Sequence, residues 1–215
     1  MKTLIGIIVV LVAIEAAAQD KYSFVFLHHR ADLAQLPKEE SDKLMEGHMA
    51  NIQKMAKDGN LIAAGPLEGG GGIFIFKPST AKEVEEWISH DPGVQAKRWN
   101  IEILSYQPLV GGVCVAKAPY EMTLYTFVHF KPKIYKFNLA EIGETVMKHD
   151  KFIKQLSAAG NVIAYGSFGG EDGGVLVMKG EVQQEVILQD PAVTAALFEP
   201  EFKKLYIAKG AFCEK

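Results

Sequence analysis

The chain has 215 residues, with 23 basic and 26 acidic side chains and a formal net charge of −3. Its arginines are Arg30 and Arg98 alone. Nucleic-acid and phosphate recognition depend on arginine forks and clustered positive charge, so we exclude those classes of partner.

Residues 1–18 have the pattern of a cleaved secretion signal. Lys2 gives a basic start, an apolar run follows over 4–14, and the alanines at 16–18 form a small-x-small cleavage site. The apolar run is short for a bilayer span. We predict a secreted or periplasmic protein whose mature chain begins at Gln19 and has no stable membrane anchor. An uncleaved anchor is the alternative.

The rest of the sequence repeats itself at a nearly constant spacing. Four features of the first copy return in the second: His48 with His149, Gly59 with Gly160, Gly65 with Gly166, and Asp91-Pro92 with Asp190-Pro191. The period is far longer than that of stacked repeats, so each copy should be a small domain with its own core. We predict a first domain over 19–110, a linker over 111–124 and a second domain over 125–215.

Each copy is predicted to open with a strand and a helix. Alternating aromatic and β-branched residues indicate strands over 22–28 and 125–131. The helices that follow have an apolar stripe that includes a histidine: Leu44, His48, Ile52 and Met55 in copy one, and Val146, His149, Ile153 and Leu156 in copy two.

The remaining elements complete the same order in both copies. Apolar runs predict strands over 61–64 and 73–76, and over 162–165 and 175–178, joined by glycine-rich turns. Thr80 and Glu83 form a capping box that opens a second helix ending at Ser89. Its counterpart is predicted over 181–188. Last strands are predicted over 101–106 and 205–208.

The order β-α-β-β-α-β predicts an α+β protein made of two ferredoxin-like domains, each with both helices on one face of an antiparallel sheet. The other face of each sheet would be bare and apolar. We therefore predict that the two copies pack sheet to sheet as a pseudo-dimer within one chain, with a cleft between each sheet and its first helix or at the shared interface.

His48 and His149 are the strongest candidate functional residues. Each lies on the apolar stripe of a helix, where leucine would pack better, and other histidines are not kept between the copies. Imidazole is costly to bury and useful as an acid or base. The alternative is a core histidine that bonds to a backbone carbonyl.

Asp91 and Asp190 are the second retained pair. Aspartate before proline is a preferred helix N-cap, which accounts for both residues without any chemistry. The functional interpretation is that each carboxylate orients a histidine and favours its charged form. The two interpretations are compatible because a cap uses one oxygen.

Other constellations predict neither a cofactor nor a metal. The glycines of 69–72 lead from strand to strand and not to a helix N-terminus, which argues against a phosphate loop. No zinc spacing is present. Cys114 and Cys213 end equivalent segments of an exported chain, so they form either a disulfide or two separate buried thiols.

The segments around His48, around 61–66 and over Trp87–Pro92 resemble the YciI-like, or YCII-related, family of the dimeric α/β barrel superfamily. The likeness covers 22–108 well and 125–210 more loosely, so the chain resembles two fused members. The resemblance implies active sites at His48 with Asp91 and at His149 with Asp190. The arginine that often precedes the family histidine by three residues is replaced by Met45 and Val146.

Relatives with established reactions include dehydrohalogenating and isomerising enzymes that act on small ring compounds. We therefore interpret the chain as a tandem YciI-like lyase or isomerase that needs no cofactor, with a His-Asp pair acting on a small organic molecule. The alternatives are a non-catalytic binder of a small molecule and an interaction protein of the cell envelope. The superfamily shares a fold and not a reaction.

Overall fold

The computed structural model describes residues 21–133, 139–169, 172–180 and 182–214. The predicted signal at 1–18 and the predicted new terminus at Gln19 lie outside these residues. No helix in the described ranges combines the length and the hydropathy that a membrane crossing needs.

The first half has the predicted order of elements, with one short extra helix at the Asp-Pro step. The elements are β1 (Tyr22–His29), α1 (Lys38–Lys57), β2 (Leu61–Pro66), β3 (Gly72–Phe76), α2 (Ala81–Ile88), α3 (Pro92–Gln95) and β4 (Trp99–Val110). The capping box of Thr80 and Glu83 is present, with the Thr80 side chain accepting from the Glu83 N–H. It fixes the start of α2.

The second half repeats this order. Its elements are β5 (Met122–Pro132), α4 (Leu139–Ser157), β6 (Val162–Ser167), β7 (Gly174–Met178), α5 (Gln184–Ile187), α6 (Pro191–Thr194) and β8 (Phe198–Ala208). The helix predicted over 181–188 is corrected to the four residues of α5, whose N-cap Gln183 makes no side-chain capping bond. Without a cap or a long apolar stripe, a longer helix has little to stabilise it.

The strands form one antiparallel system in the order β2-β3-β1-β4-β6-β7-β5-β8. The sheet of the first half joins that of the second where β4 pairs with β6, at Gln107 opposite Ser167. At the other end a bridge joins Leu67 to Leu205, and the Glu68 N–H donates to the Lys204 carbonyl at 2.8 Å. The two sheets thus close into a barrel. Pairing with β6 extends β4 beyond 106, whereas β8 is longer than predicted because it pairs with β5 along its whole length.

The centre of the barrel is an apolar core to which both halves contribute. It includes Phe24, Phe26, Ile73, Ile75 and Tyr106 from the first half and Tyr125, Phe127, Val175, Val177 and Leu205 from the second. The first helices cover the outer faces, where Met55 and Ile153 are buried in two separate clusters. The prediction of an α+β pseudo-dimer packed sheet to sheet is confirmed.

Two retained glycines are explained by this packing between halves. A Cβ on Gly65 would lie 2.5 Å from the carbonyl oxygen of Tyr206, and a Cβ on Gly166 would lie 2.2 Å from the ring of Tyr106. Either contact is too short for any side chain. Retention at these positions therefore follows from close approach of the other half.

The two cysteines form a disulfide. Cys114 follows β4 and Cys213 follows β8, with their Cα atoms 5.1 Å apart and a sequence separation of 99. The alternative of two separate thiols is wrong. A bridge that closes so long a loop stabilises the fold by about 2–4 kcal/mol.

Candidate functional site

His48 and Asp91 lie in direct hydrogen-bond contact. His48 projects from the middle of α1, and its Nδ1–H donates to Asp91 Oδ2 at 2.7 Å. The other oxygen, Oδ1, accepts from the N–H groups of Gly93 at 2.8 Å and Val94 at 3.3 Å and so caps α3. One carboxylate therefore serves as both cap and histidine partner.

A glycine lets these two helices meet. A Cβ on Gly47 would lie 2.7 Å from Pro92 Cγ, so any side chain there would push α3 away from α1. Asp91 precedes Pro92 and is fully buried. The Gly47 position thus allows the carboxylate to reach the imidazole one residue along the helix.

The second half repeats the pair. His149 Nδ1–H donates to Asp190 Oδ2 at 2.6 Å, and Asp190 Oδ1 accepts from the Ala192 N–H at 2.7 Å. The structure therefore brings together all four residues predicted as site residues, in the two predicted pairs. Each aspartate is thus both a helix cap and a hydrogen-bond partner of a histidine. A catalytic role for the four residues stays a prediction.

Asn51 belongs to the first site and was not predicted. It lies one turn after His48 on the buried face of α1, and its Nδ2 donates to Asp91 Oδ2 at 3.4 Å. The signal in the sequence was a polar residue three positions after the histidine on an apolar stripe. The second half has Phe152 at this position.

Asp91 is held ionised although it is buried. Burial alone would raise the pKa of Asp91, but the hydrogen bond and charge of His48, together with the N–H groups of Val94 and Gly93, outweigh burial and hold that pKa below its ordinary value. A carboxylate that stays ionised accepts the Nδ1 proton of His48. The lone pair of the imidazole is thereby assigned to Nε2.

The two sites differ in access to Nε2. The His149 side chain is 1% exposed, against 10% for His48. His149 Nε2 is sealed from solvent and has no hydrogen-bond partner within the described residues, whereas His48 Nε2 is not sealed. The Nε2 atom is therefore partly accessible at the first histidine and enclosed at the second.

Larger side chains surround the second histidine. The ring of His149 lies 4.8 Å from Phe130, 5.5 Å from Tyr165 and 5.2 Å from Phe198. Tyr165 is fixed by its hydroxyl, which donates to Asp150 Oδ1 at 2.8 Å. Ala64 holds the equivalent strand position in the first half, facing Phe74 as Tyr165 faces Leu176.

Around His48 the ring contacts are fewer. Its imidazole lies 4.9 Å from Trp99 and 5.9 Å from Phe74. These rings pack against the imidazole of His48. The arrangement is a histidine bonded through Nδ1 to a buried carboxylate and flanked by aromatic rings. Within the described ranges no group of three or more His, Cys, Asp or Glu is arranged to hold a metal ion.

The fold and the site define an eight-stranded α+β barrel with a buried His-Asp pair in each half. Residues 22–107 match the family model of the YCII-related domain. This match covers β1 to most of β4 and includes His48 and Asp91. The resemblance of the second half to the same family stays a prediction. No curated protein is matched by the sequence.

Three solved structures are similar to the chain over most of its length. A heme-binding protein from Thermus thermophilus is 14% identical, with a TM-score of 0.47, covering 88% of this chain and 90% of that one. A monooxygenase-like protein from Lactobacillus acidophilus NCFM is 11% identical, with a TM-score of 0.44 and coverages of 87% and 93%. Another from Fusobacterium nucleatum is 9% identical, with a TM-score of 0.45 and coverages of 88% and 92%. Similarities this low carry no conclusion about activity or ligands.

Proposed function

We propose that the protein is an exported acid-base enzyme, a lyase or isomerase, that moves a proton of a small organic molecule with His48. The observation that carries the proposal is the hydrogen-bonded His48–Asp91 pair, whose imidazole Nε2 is not sealed by protein atoms. A histidine with this arrangement serves as a general base.

The proton transfer begins at Nε2 of His48. Its lone pair takes a proton from a carbon atom of the substrate, and the imidazole becomes a cation. Asp91, ionised and 2.7 Å from Nδ1, stabilises that cation and keeps the ring in one orientation. Asn51 donates to the same carboxylate oxygen.

The fate of the electron pair left on the substrate carbon distinguishes a lyase from an isomerase. In an elimination it forms a double bond as a leaving group departs with its own electron pair. In an isomerisation it delocalises, and His48 returns the proton to a different carbon. Both routes balance without an oxidant or a cofactor, and both favour a substrate whose acidic C–H lies beside a carbonyl or a leaving group.

The second pair has a structural role in this proposal. The buried His149 Nε2 meets no solvent, and Tyr165 occupies the approach to it. His149 and Asp190 then fix α4 to α6, while His48 and Asp91 do the same and also react. Retention of the pair through duplication is thus consistent with one working site.

Export is the second part of the proposal. The Cys114–Cys213 disulfide supports an oxidising compartment, because such bonds persist outside the cytosol. Mass spectrometry of the protein recovered from its producing cells is expected to give a chain that begins at Gln19. A chain that retains residues 1–18 would contradict this.

Solvent isotope exchange tests the activity without a known substrate. The protein is incubated in D₂O with a panel of small cyclic enones and lactones, and deuterium uptake at carbon is measured by mass spectrometry. We expect uptake by the parent and by His149→Gln, and a loss of about 100-fold or more in His48→Gln. Uptake that is unchanged in His48→Gln would contradict the proposal. Saturable binding of panel members without exchange would favour the non-catalytic binder.

A further inference from the structure

A recess of about 260 Å³ opens where the two halves meet, away from both His-Asp pairs. Strands β1 and β4 form one side, and β5 with the segment before β7 forms the other. The lining residues are His28, Glu102, Leu104, His129, Lys131, Pro132 and Asp172.

His129 is a buried polar group without a partner in this recess. His129 is 6% exposed, and its ring stacks on that of Phe26 with the ring centroids 4.4 Å apart. Neither ring nitrogen forms a hydrogen bond with another described residue, and neither nitrogen is fully enclosed by protein atoms. The equivalent position in the first half is Phe26, so the fold accepts an apolar ring there.

The imidazole of His129 is neutral near pH 7. Burial lowers its pKa to about 4, an effect that the nearby carboxylates of Glu102 and Glu201 only partly offset. A neutral imidazole presents one lone pair and one N–H. His129 therefore offers a hydrogen-bond acceptor to a molecule in the recess.

Carboxylates line the recess together with this acceptor. Glu102 Oε2 accepts from His28 Nε2 at 2.6 Å, and this bond holds the pKa of Glu102 below its ordinary value despite burial. Its Oε1 makes no bond to the described residues. Asp172 adds a second carboxylate to the lining.

Hydrogen-bond acceptors predominate among the unpaired groups of the recess. The ammonium of Lys131, in its lining, is already paired with Glu201 at 2.9 Å. Acceptors that remain free, on His129, Glu102 and Asp172, outnumber the free donors. Leu104 and Pro132 give the recess an apolar wall. A ligand that carries N–H donors and a positive charge, with an apolar body, complements this lining.

We propose that the recess is a second ligand site, for a small organic ammonium ion. The ammonium group donates to Glu102 Oε1 and to the imidazole of His129, and its apolar body lies against Leu104 and Pro132. This site uses none of the residues assigned to proton transfer, so it stands or fails independently of the proposed activity.

Three molecules of similar shape test the charge preference. Benzylamine is a cation at neutral pH, benzyl alcohol is neutral and benzoate is an anion. Binding to the full mature protein is measured by calorimetry and by the NMR signals of the His129 ring. We expect saturable shifts with benzylamine and an affinity at least about tenfold lower for the other two, since charge-assisted hydrogen bonds are lost.

Two variants locate the site. Glu102→Gln removes the charge with little change of shape and is expected to weaken benzylamine binding by about tenfold or more. His129→Phe copies the equivalent residue Phe26, so it should fold, and it removes the acceptor. Glu121→Gln, at an exposed pair with Lys209, is the control and should bind as the parent does. Equal or tighter binding of benzoate, unchanged binding in Glu102→Gln, or no saturation with benzylamine would overturn the proposal.

Discussion

The two halves hold their histidines with the same bonds and surround them with different side chains. In each half, Nδ1–H donates to an aspartate whose other oxygen caps a short helix. In the first half the imidazole has Trp99 beside it and Ala64 on the neighbouring strand. In the second half, Tyr165 and Phe198 pack on it.

This comparison separates two roles that retention alone does not distinguish. The bond between histidine and aspartate ties the first helix of each half to the Asp-Pro step, and that function is common to both. Access to Nε2 is present only at His48. In the proposed function, both halves therefore keep the structural role and the first half alone carries the chemistry.

The largest expected effect is on the pH dependence of the unfolding free energy. It comes from His129, which stacks on its equivalent residue Phe26 at the interface of the halves. The folded pKa of His129 is about 4, below its ordinary value of about 6.5, so the unfolded chain binds more protons between these two values. Its contribution to stability is complete above pH 6.5 and is lost as pH falls towards 4, for a total of about 3 kcal/mol.

Unfolding by denaturant across this pH range checks the effect. The parent should lose more stability on acidification than His129→Phe, which has no group to protonate at this position. Parallel pH curves for the two proteins would show that burial of His129 does not disfavour its charged form.

The second largest expected effect is on the unfolding free energy when either aspartate is replaced by asparagine. Asn retains the capping oxygen but places an NH₂ donor opposite Nδ1–H, so the histidine must move its proton to Nε2. At His48 that N–H is not sealed from solvent, whereas at His149 it is buried without a partner among the described residues. We expect Asp190→Asn to cost about 2 kcal/mol more in unfolding free energy than Asp91→Asn.

Thermal or denaturant unfolding of both variants measures this difference. Far-ultraviolet circular dichroism controls for loss of helix. Equal costs at the two positions would mean that the two Nε2 environments do not differ in solvation.

The smallest expected effect is on the unfolding free energy when the N-cap residue of α2 or of α5 is replaced. Thr80 caps α2, whereas Gln183 before α5 makes no capping bond. Thr80→Ala should destabilise the protein by about 1 kcal/mol, and Gln183→Ala should be within about 0.5 kcal/mol of the parent. A cost at Gln183 as large as that at Thr80 would contradict the difference between these helix starts.

The repeat made most of the fold predictable. Each copy carried the same strand and helix patterns, and a sheet with one bare face has few ways to bury it. The extension of β4 beyond 106 was not predictable, because pairing of Gln107 with Ser167 joins residues from different halves. The same holds for the disulfide, which local patterns left open.

For the site, the residue pairs were predictable and their difference was not. His48, His149, Asp91 and Asp190 stand out because both copies keep them. The closure of the second site depends on Tyr165, which replaces an alanine on a strand and looks like ordinary core in the sequence. His129 does not stand out in the sequence, because it aligns with Phe26 and part of its surroundings comes from the other half.

Chemical modification of the two histidines tests the central claim most directly. Diethyl pyrocarbonate reacts with an accessible, unprotonated imidazole nitrogen, and peptide mapping by mass spectrometry gives a separate rate for each histidine. The exposed His29 serves as the internal reference. We expect His48 to react in the folded protein and His149 to react only as fast as the protein unfolds.

Exchange of one residue between the halves makes the test sharper. Ala64→Tyr should protect His48, and Tyr165→Ala should make His149 reactive, with both pairs still bonded to their aspartates. Equal rates at His48 and His149 in the parent, or rates that do not respond to either exchange, would contradict the account that one site is open and the other closed.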